Sequence, residues 1–392
     1  SNFLLGHNRY STSGKSKDSY SIDQCHLETQ PFYGKNKCGE FVLVHNGNIP
    51  HYQKLMKQFN INTSVNSDTE FLLRWFEKSQ GDNWLDILKT LLKSIKSAYC
   101  LIILTKDKLF VVRDSYGVRP LCIGYNETGW CVSSESCVLT NYNFLRDVRS
   151  GEILEINKEE IKTLHIEKIN KKAHCLFEYV YFLNENSFSD DYQVSKLRYQ
   201  FGEALAKQDQ AIHFNVDNPI VVGSPSTGIP SGKGYADKMR YTYKQVLLKN
   251  NNIGRTFILE NNKKRDNACK KKYYLDTESI KDRNIILVDD SLVRGTTMKN
   301  LIKIFMENGA KSIHVRIAAP PIMNPCYFGV DIPTKTELIA NHESIKNSID
   351  DGVKTLIEAD SLQYLNYESI ESIMKDNFKH LCSGCFNGNY NG

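Results

Sequence analysis

Residues 284–321 read NIILVDDSLVRGTTMKNLIKIFMENGAKSIHVRIAAPP. Four aliphatic residues run into two adjacent aspartates, a Gly-Thr-Thr turn follows, and an amphipathic run leads into a second apolar stretch. Such a run, bounded by a turn and followed by a helical period, reads as a buried strand of a parallel sheet. In open parallel sheets, ligands sit beyond the carboxyl ends of the strands. Asp289 and Asp290 lie at such an end. The next helix offers free N–H groups and a partial positive charge at its N-terminus. Gly295 lets the backbone turn tightly, and Ser291, Thr296 and Thr297 add hydroxyls. Two carboxylates side by side are costly unless a diol or a hydrated cation engages them. The pattern predicts a phosphorylated sugar, its phosphate at the helix and its diol on the acids. A pair of exposed acids in an ordinary strand–helix loop is the plain alternative.

The chain has 392 residues, enough for two or three domains with their own cores. It is 41% hydrophobic and 24% charged, the profile of a globular protein. No apolar run approaches the ~20 residues that span a bilayer, and the start does not read as a signal peptide. No membrane partner is therefore expected. The net charge of +5 is mild, and the Lys-rich stretches 157–174 and 262–272 are mixed with acids or lie in polar loops. That favours a solvated surface over nucleic-acid binding. Eleven cysteines, an odd and scattered set, argue against a disulfide framework and for a reducing compartment, here expected to be the cytoplasm.

Up to about residue 165 the chain reads as short β-type runs separated by turns. EFVLVHNGN (40–48) is a strand ending at a turn, and 98–105 with 108–114 makes a hairpin. SDTEFLLRWFEKSQ (67–80) carries a Ser cap with Glu70 three residues on, and a further helix is expected around 83–96. Consecutive strands with a few helices predict an α+β domain of antiparallel sheets. After about residue 190 the pattern changes. YQVSKLRYQFGEALAKQ places Val194, Leu197, Phe201 and Leu205 on one helical face. PIVVGSP (219–225), RNIILVDD and SIHVRIAAPP then alternate with helices, which predicts an α/β domain with a parallel sheet. The expected division is 1–165, an inter-domain segment 166–190, a domain 191–340, and a helical tail 341–392 ending in Cys382-x-x-Cys385.

The stretch around the aspartates resembles the signature of type I phosphoribosyltransferases, which hold 5-phosphoribosyl-1-pyrophosphate (PRPP). The resemblance implies Asp289 and Asp290 on the ribose hydroxyls, with Ser291, Arg294, Gly295, Thr296 and Thr297 around the sugar and its 5′-phosphate. The loop GSPSTGIPSGKGYADK (223–238) occupies the pyrophosphate position. Relatives carry an acidic residue there where this chain has Ser226, whereas Thr227 keeps a hydroxyl. Thr227, Asp289 and Asp290 are the implied Mg2+ residues.

In the N-terminal half, GHNRYSTSG (6–14), QPF (30–32), LVHNGNI (43–49) and SDTE (67–70) occur in that order. Each alone is weak, and turn chemistry explains His45 or Asn46 at a strand end. The ordered set resembles the class II glutamine amidotransferase domain, of N-terminal nucleophile type. The resemblance implies that Arg9 grips the glutamine carboxylate and Asp68 its amino group. Asn46 and Gly47 would supply the oxyanion hole, where neutral donors face a developing charge. The nucleophile of that class is an amino-terminal cysteine whose own amine is the base. Here residue 1 is Ser1, and Cys25 and Cys38 are internal. A longer natural start is expected; the alternatives are an enzyme dependent on free ammonia or a non-catalytic PRPP or nucleotide sensor.

The two halves together resemble the glutamine phosphoribosylpyrophosphate amidotransferases, through segments such as VVRDSYGVRPLCIG (111–124), CLFEYVYF (175–182), GRTFI (254–258) and PPIMNPCYFGVDIPT (320–334). The resemblance implies glutamine and PRPP as substrates, inhibitory purine nucleotides, and a homo-tetramer. It also implies a loop closing over PRPP near Arg265 and Lys270–Lys272, the alternative being a plain basic surface loop. One branch of the family carries a 4Fe-4S cluster, and its three cysteine contexts are matched by Cys175, Cys326, Cys382 and Cys385. A zinc site is the runner-up for these thiols. The other seven cysteines are expected in the core.

Overall fold

The computed structural model describes residues 3–8, 29–64, 67–168, 171–249, 273–330, 332 and 334–390. Arg9, Cys25, Cys269 and the basic stretch 262–272 lie outside the described residues.

Nine strands lie within residues 32–166: β1 (Phe32–Asn36), β2 (Gly39–Asn48), β3 (Ala98–Leu104), β4 (Leu109–Arg113), β5 (Cys122–Asn126), β6 (Gly129–Ser133), β7 (Asn143–Asp147), β8 (Glu152–Ile156) and β9 (Ile161–Ile166). Six form an antiparallel sheet in the order β1-β2-β3-β4-β8-β9, and β6-β5-β7 form a second antiparallel sheet. Two residues of separation between apolar side chains decide which face each covers. Leu101 and Ile103 of β3 pack under the helices α1 (Asp68–Lys78) and α2 (Trp84–Ser94), together with Phe71, Phe76, Trp84 and Leu88. Cys100 of β3 and Val111 of β4 face the other way, against Ile123 of the smaller sheet and Leu121 and Val148 beside it. Helix α1 begins as its sequence dictates: the Ser67 side chain accepts the Glu70 N–H. The Glu70 carboxylate accepts from both the N–H (3.0 Å) and the hydroxyl (2.7 Å) of Ser64.

The second half is built on a five-stranded parallel sheet: β10 (Pro219–Gly223), β11 (Thr242–Tyr243), β12 (Asn284–Asp289), β13 (Ser312–Ile317) and β14 (Ser361–Tyr364), in the order β11-β10-β12-β13-β14. The central strand is apolar from Ile285 to Val288 because both faces are covered there. Ile285 and Leu287 meet Met298, Ile302 and Phe305 of helix α5 (Thr296–Glu307), on one face. Ile286 and Val288 meet Phe201 of α3 (Val194–Ala211) and Tyr235 of α4 (Ile229–Met239), on the other. This second core also takes in Ala98 and Val118 from the first half and Leu176–Val180 from the segment between, so one apolar mass joins the halves.

Two expectations are corrected. The segment 341–392 is not simply a helical tail: Ser361–Tyr364 is the edge strand of the parallel sheet, and Leu381–Cys382 pairs in parallel with His174–Cys175. Runs of four and two residues are too short to carry a readable period, and their partners are far off in sequence. The seven further cysteines are not all in the core either. Cys100 and Cys122 are buried, but Cys38, Cys131 and Cys137 are half-buried, because β6 and the turns at these positions face solvent on one side. No disulfide occurs among the described residues.

Candidate active sites

At the carboxyl end of β12, Asp289 and Asp290 lie where the sheet edge meets α5. Asp290 accepts from the Thr227 hydroxyl, which comes from the neighbouring β10–α4 loop, and from Ser291 Oγ at 2.6 Å. The Asp290 N–H donates to Asp289 Oδ1 at 2.9 Å. Burial first, and the adjacent carboxylate second, push Asp289 well above the ordinary carboxylate range. Burial also pushes Asp290 up, opposed by the hydroxyls of Ser291 and Thr227 and by the charge of Arg198. The 223–228 loop is bonded into the same edge: the Ser224 N–H donates to Val288 O at 2.8 Å, the Gly228 N–H to Ser224 O at 2.9 Å, and the Pro225–Ser226 peptide is cis.

Gly295 caps α5 with φ 74°, a conformation that suits glycine, and so turns the first amides of the helix toward the loop. Thr296 and Thr297 are exposed in the first turn. Arg294 is exposed as well, its Nε 3.2 Å from Glu337 Oε2, so its guanidinium is turned to Glu337. The structure thus gathers Thr227, Asp289, Asp290, Ser291 and the start of α5 at one edge.

A residue that sequence reasoning missed backs this site. Arg198 lies in α3, 1% exposed, with Nε on Tyr179 O (2.8 Å) and Nη2 on Leu183 O (2.8 Å). Its charge favours the ionised Asp290 carboxyl, against the effect of burial. The available signal was an arginine beside Leu197 on the apolar face of an amphipathic helix.

In the N-terminal half, Asn46 and Gly47 end β2, opposite Cys100 and Tyr99 of β3. Glycine is required at 47, where a Cβ would come within 2.1 Å of Ala98 O. Asn46 Nδ2 stands 3.4 Å from Ser134 Oγ. Asp68 opens α1, and its Oδ2 accepts the Ile49 N–H at 3.0 Å, which fixes the turn that follows Asn46 and Gly47. Behind them a buried network was not foreseen. Gln30 brackets His45, accepting its N–H (2.6 Å) and donating to its carbonyl (3.2 Å), while His45 Nδ1 lies 3.1 Å from Thr69 Oγ1 and 3.9 Å from Asp68 Oδ2. Burial depresses the His45 pKa, which keeps the ring neutral. The quoted QPF motif contained the signal, a polar residue before proline.

Cys175 and Cys382 are register partners of the short parallel pair. Cys385 O accepts the N–H groups of both Met323 (2.9 Å) and Asn324 (3.0 Å), drawing the 323–328 loop onto the C-terminal turn. The Phe328 N–H donates to Cys326 Sγ at 3.3 Å. Burial, then the charges of Glu178 and the other three sulfurs, raise the Cys175 thiol far above its ordinary value. Among the described residues no group of three or more His, Cys, Asp or Glu side chains is set as a ready metal site. The donor chemistry of four cysteines still suits a thiolate-bound group: Cys175 and Cys382 are paired across two strands, the 323–328 loop with Cys326 is bonded to Cys385, and Cys326 Sγ has an N–H donor.

The glutamine amidotransferase domain family matches residues 17–141, and the phosphoribosyl transferase domain family matches residues 193–322. The amidophosphoribosyltransferase of Homo sapiens is 37% identical over 97% of this chain and 75% of its own length. That of Archaeoglobus fulgidus is 33% identical over 99% of this chain and 83% of its own length. Among solved structures, the glutamine PRPP amidotransferase of B. subtilis, complexed with ADP and GMP, superposes with a TM-score of 0.85. It is 30% identical, covering 98% of this chain and 82% of that one. The order of the two domains, the antiparallel and parallel sheets, and identity across nearly the whole length agree: this chain belongs to the amidophosphoribosyltransferase family.

Proposed function

We propose that the chain catalyses the first committed step of purine synthesis: glutamine, PRPP and water yield 5-phospho-β-D-ribosylamine, glutamate and pyrophosphate. The observation that carries this reading is the Asp289–Asp290 pair, joined to Thr227 and Ser291 beside the start of α5. In our assignment the two carboxylates take the ribose hydroxyls, and Ser291, Arg294, Gly295, Thr296 and Thr297 surround the sugar and its 5′-phosphate. A dianionic phosphate is favoured by the free amides and positive end of α5. Arg294 would leave Glu337 to reach it. The lone pair of ammonia attacks C1 as the bond from C1 to pyrophosphate oxygen breaks, so the carbon inverts and the new ammonium gives up a proton.

Ammonia is assigned to the N-terminal domain, where Arg9 and Asp68 would hold glutamine and Asn46 with the Gly47 N–H would receive the oxyanion. A neutral His45 behind them suits that role, because a cation there would compete for the substrate's carboxylate. Ammonia then passes between the sites without meeting solvent. Thr227, Asp289 and Asp290 are the residues that would hold Mg2+, which when bound neutralises the leaving pyrophosphate. Cys175, Cys326, Cys382 and Cys385 would hold a 4Fe-4S cluster that ties the C-terminal turn to the domain junction. A cytoplasmic homo-tetramer inhibited by purine nucleotides completes the proposal. It rests on the family, and for the nucleotides on the ADP and GMP of the B. subtilis relative. No described helix is long and apolar enough to cross a membrane.

The test supplies ammonia directly, which reads the PRPP half alone. Residues 1–392 are expected to release pyrophosphate from PRPP with saturable dependence on ammonia and Mg2+. A folded protein that binds PRPP without releasing pyrophosphate would support a sensor instead.

A further inference from the structure

The loop that carries Cys326 also touches the peptide that follows the one assigned to the oxyanion: the Gly47 N–H belongs to the Asn46–Gly47 peptide, and the contacts fall on Gly47–Asn48. Asn48 Nδ2 donates to Tyr327 O at 2.9 Å across 279 residues of sequence. Gly329, at φ +102°, presses its backbone on the same strand end: a Cβ there would lie 3.1 Å from Gly47 C and 3.3 Å from Asn48 N. On its other side the Gly47 peptide abuts Ala98 and Tyr99, and Ser97 Oγ donates to Asn48 O at 2.7 Å. The Gly47–Asn48 peptide is therefore held between strand β3 and the 326–330 loop.

That loop is in turn fastened to the C-terminal turn. The N–H groups of Met323 and Asn324 donate to Cys385 O, the Tyr390 hydroxyl donates to Pro325 O, and the Tyr327 and Tyr390 rings stand 4.8 Å apart. A continuous set of contacts runs from Tyr390 through residues 323–328 to Asn48. Each link is a direct hydrogen bond or a backbone contact.

We infer that Asn48 and the 323–330 loop form a brace that positions the Gly47 N–H for the glutamine reaction, so that the cysteine-bearing C-terminal turn sets the geometry of the N-terminal site. Asn48 is a positioning residue, not a catalytic one. The inference rests on the glutamine-hydrolysing reading given above. Its consequence is a one-sided sensitivity: loosening the turn costs the glutamine half and spares the PRPP half. A displaced oxyanion donor loses transition-state stabilisation steeply, whereas Asp290 is fastened by Thr227 and Ser291, and Asp289 by the Asp290 N–H, outside the brace.

Two variants test it in the protein as the cell makes it: Asn48→Ala removes the bond to Tyr327 O, and Tyr390→Phe releases Pro325 from the far end. Amide hydrogen exchange at residues 46–48 is expected to quicken about three- to tenfold in both, the worth of one hydrogen bond. Glutamine-dependent pyrophosphate release should fall about tenfold in Asn48→Ala, with ammonia-dependent release and iron content unchanged. Unchanged exchange at 46–48 in both variants overturns the brace, as does an equal fall in the two activities. Absence of ammonia-dependent release in the unsubstituted protein would instead overturn the functional reading, leaving the exchange result to judge the brace.

Discussion

Asp290 accepts hydroxyls from two different loops, and these with the charge of Arg198 oppose the burial that disfavours its negative charge. Asp290→Asn keeps the shape and removes that charge. Ammonia-dependent turnover of PRPP is expected to fall at least about a hundredfold, on the scale of losing one well-placed electrostatic contact, while the melting temperature stays the same or rises. An unchanged kcat/KM would remove the assignment. A second carboxyl reports on pH. Asp147 is pushed up to about 7, chiefly by burial and then by Asp190, against the pull of the Asp190 N–H and of Arg113. Its raised value means that the fold holds a proton which the unfolded chain releases. The stability it contributes is full in acid, and is lost as the pH climbs from the usual carboxylate range through about 7. Asp147→Asn fixes the neutral form and keeps an acceptor for the Asp190 N–H. It is expected to raise the melting temperature by about 3 °C at pH 8 and hardly at all at pH 4.5. Equal shifts at both pH values would contradict this.

Elements whose signals are local were legible in the chain. The strand Asn284–Asp289, the turn at Gly295 and the helix that follows announce themselves within about twenty residues, as do the Ser67 cap and the β3–β4 hairpin. Elements defined by distant partners were not. Ser361–Tyr364 is a strand only because β13 offers its edge, and His174–Cys175 only because Leu381–Cys382 lies alongside. The same division holds in the sites. Asp289 and Asp290 are adjacent in sequence, whereas Arg198, whose charge acts on Asp290, lies in a helix more than ninety residues earlier. At this scale Gly295 is the sharpest lever. Alanine there meets both the left-handed φ of 74° and Ile339 Cδ1 at 2.2 Å. Gly295→Ala is expected to cost about 1–2 kcal/mol of stability and to raise the KM for PRPP by shifting the first turn of α5. A lowered stability with an unaltered KM would mean that this turn does not meet the phosphate.

Across the whole molecule, the halves are joined by a shared core and by buried polar ties. Arg113, 1% exposed, bonds the carbonyls of Gly117, Arg119 and Val148 and then Asp190, so strand β4 is fastened to the start of the second half. Arg119 pairs with Glu178 at 2.8 Å beside the cysteine segment. Cys175 and Cys382, far apart in sequence, are register partners at this junction, and Cys385 is bonded to the loop that carries Cys326. Protein purified without oxygen is expected to carry about four irons and four sulfides per chain with broad visible absorption, and Cys385→Ser to lose them. One zinc per chain would favour the other thiolate-bound site. The central claim concerns the aspartates at the sheet edge, and a crystal soaked with PRPP and Mg2+ tests it most directly. The account predicts the ribose hydroxyls on Asp289 and Asp290 with the 5′-phosphate at residues 294–297; a sugar bound elsewhere, or none bound at saturating concentration, would contradict it.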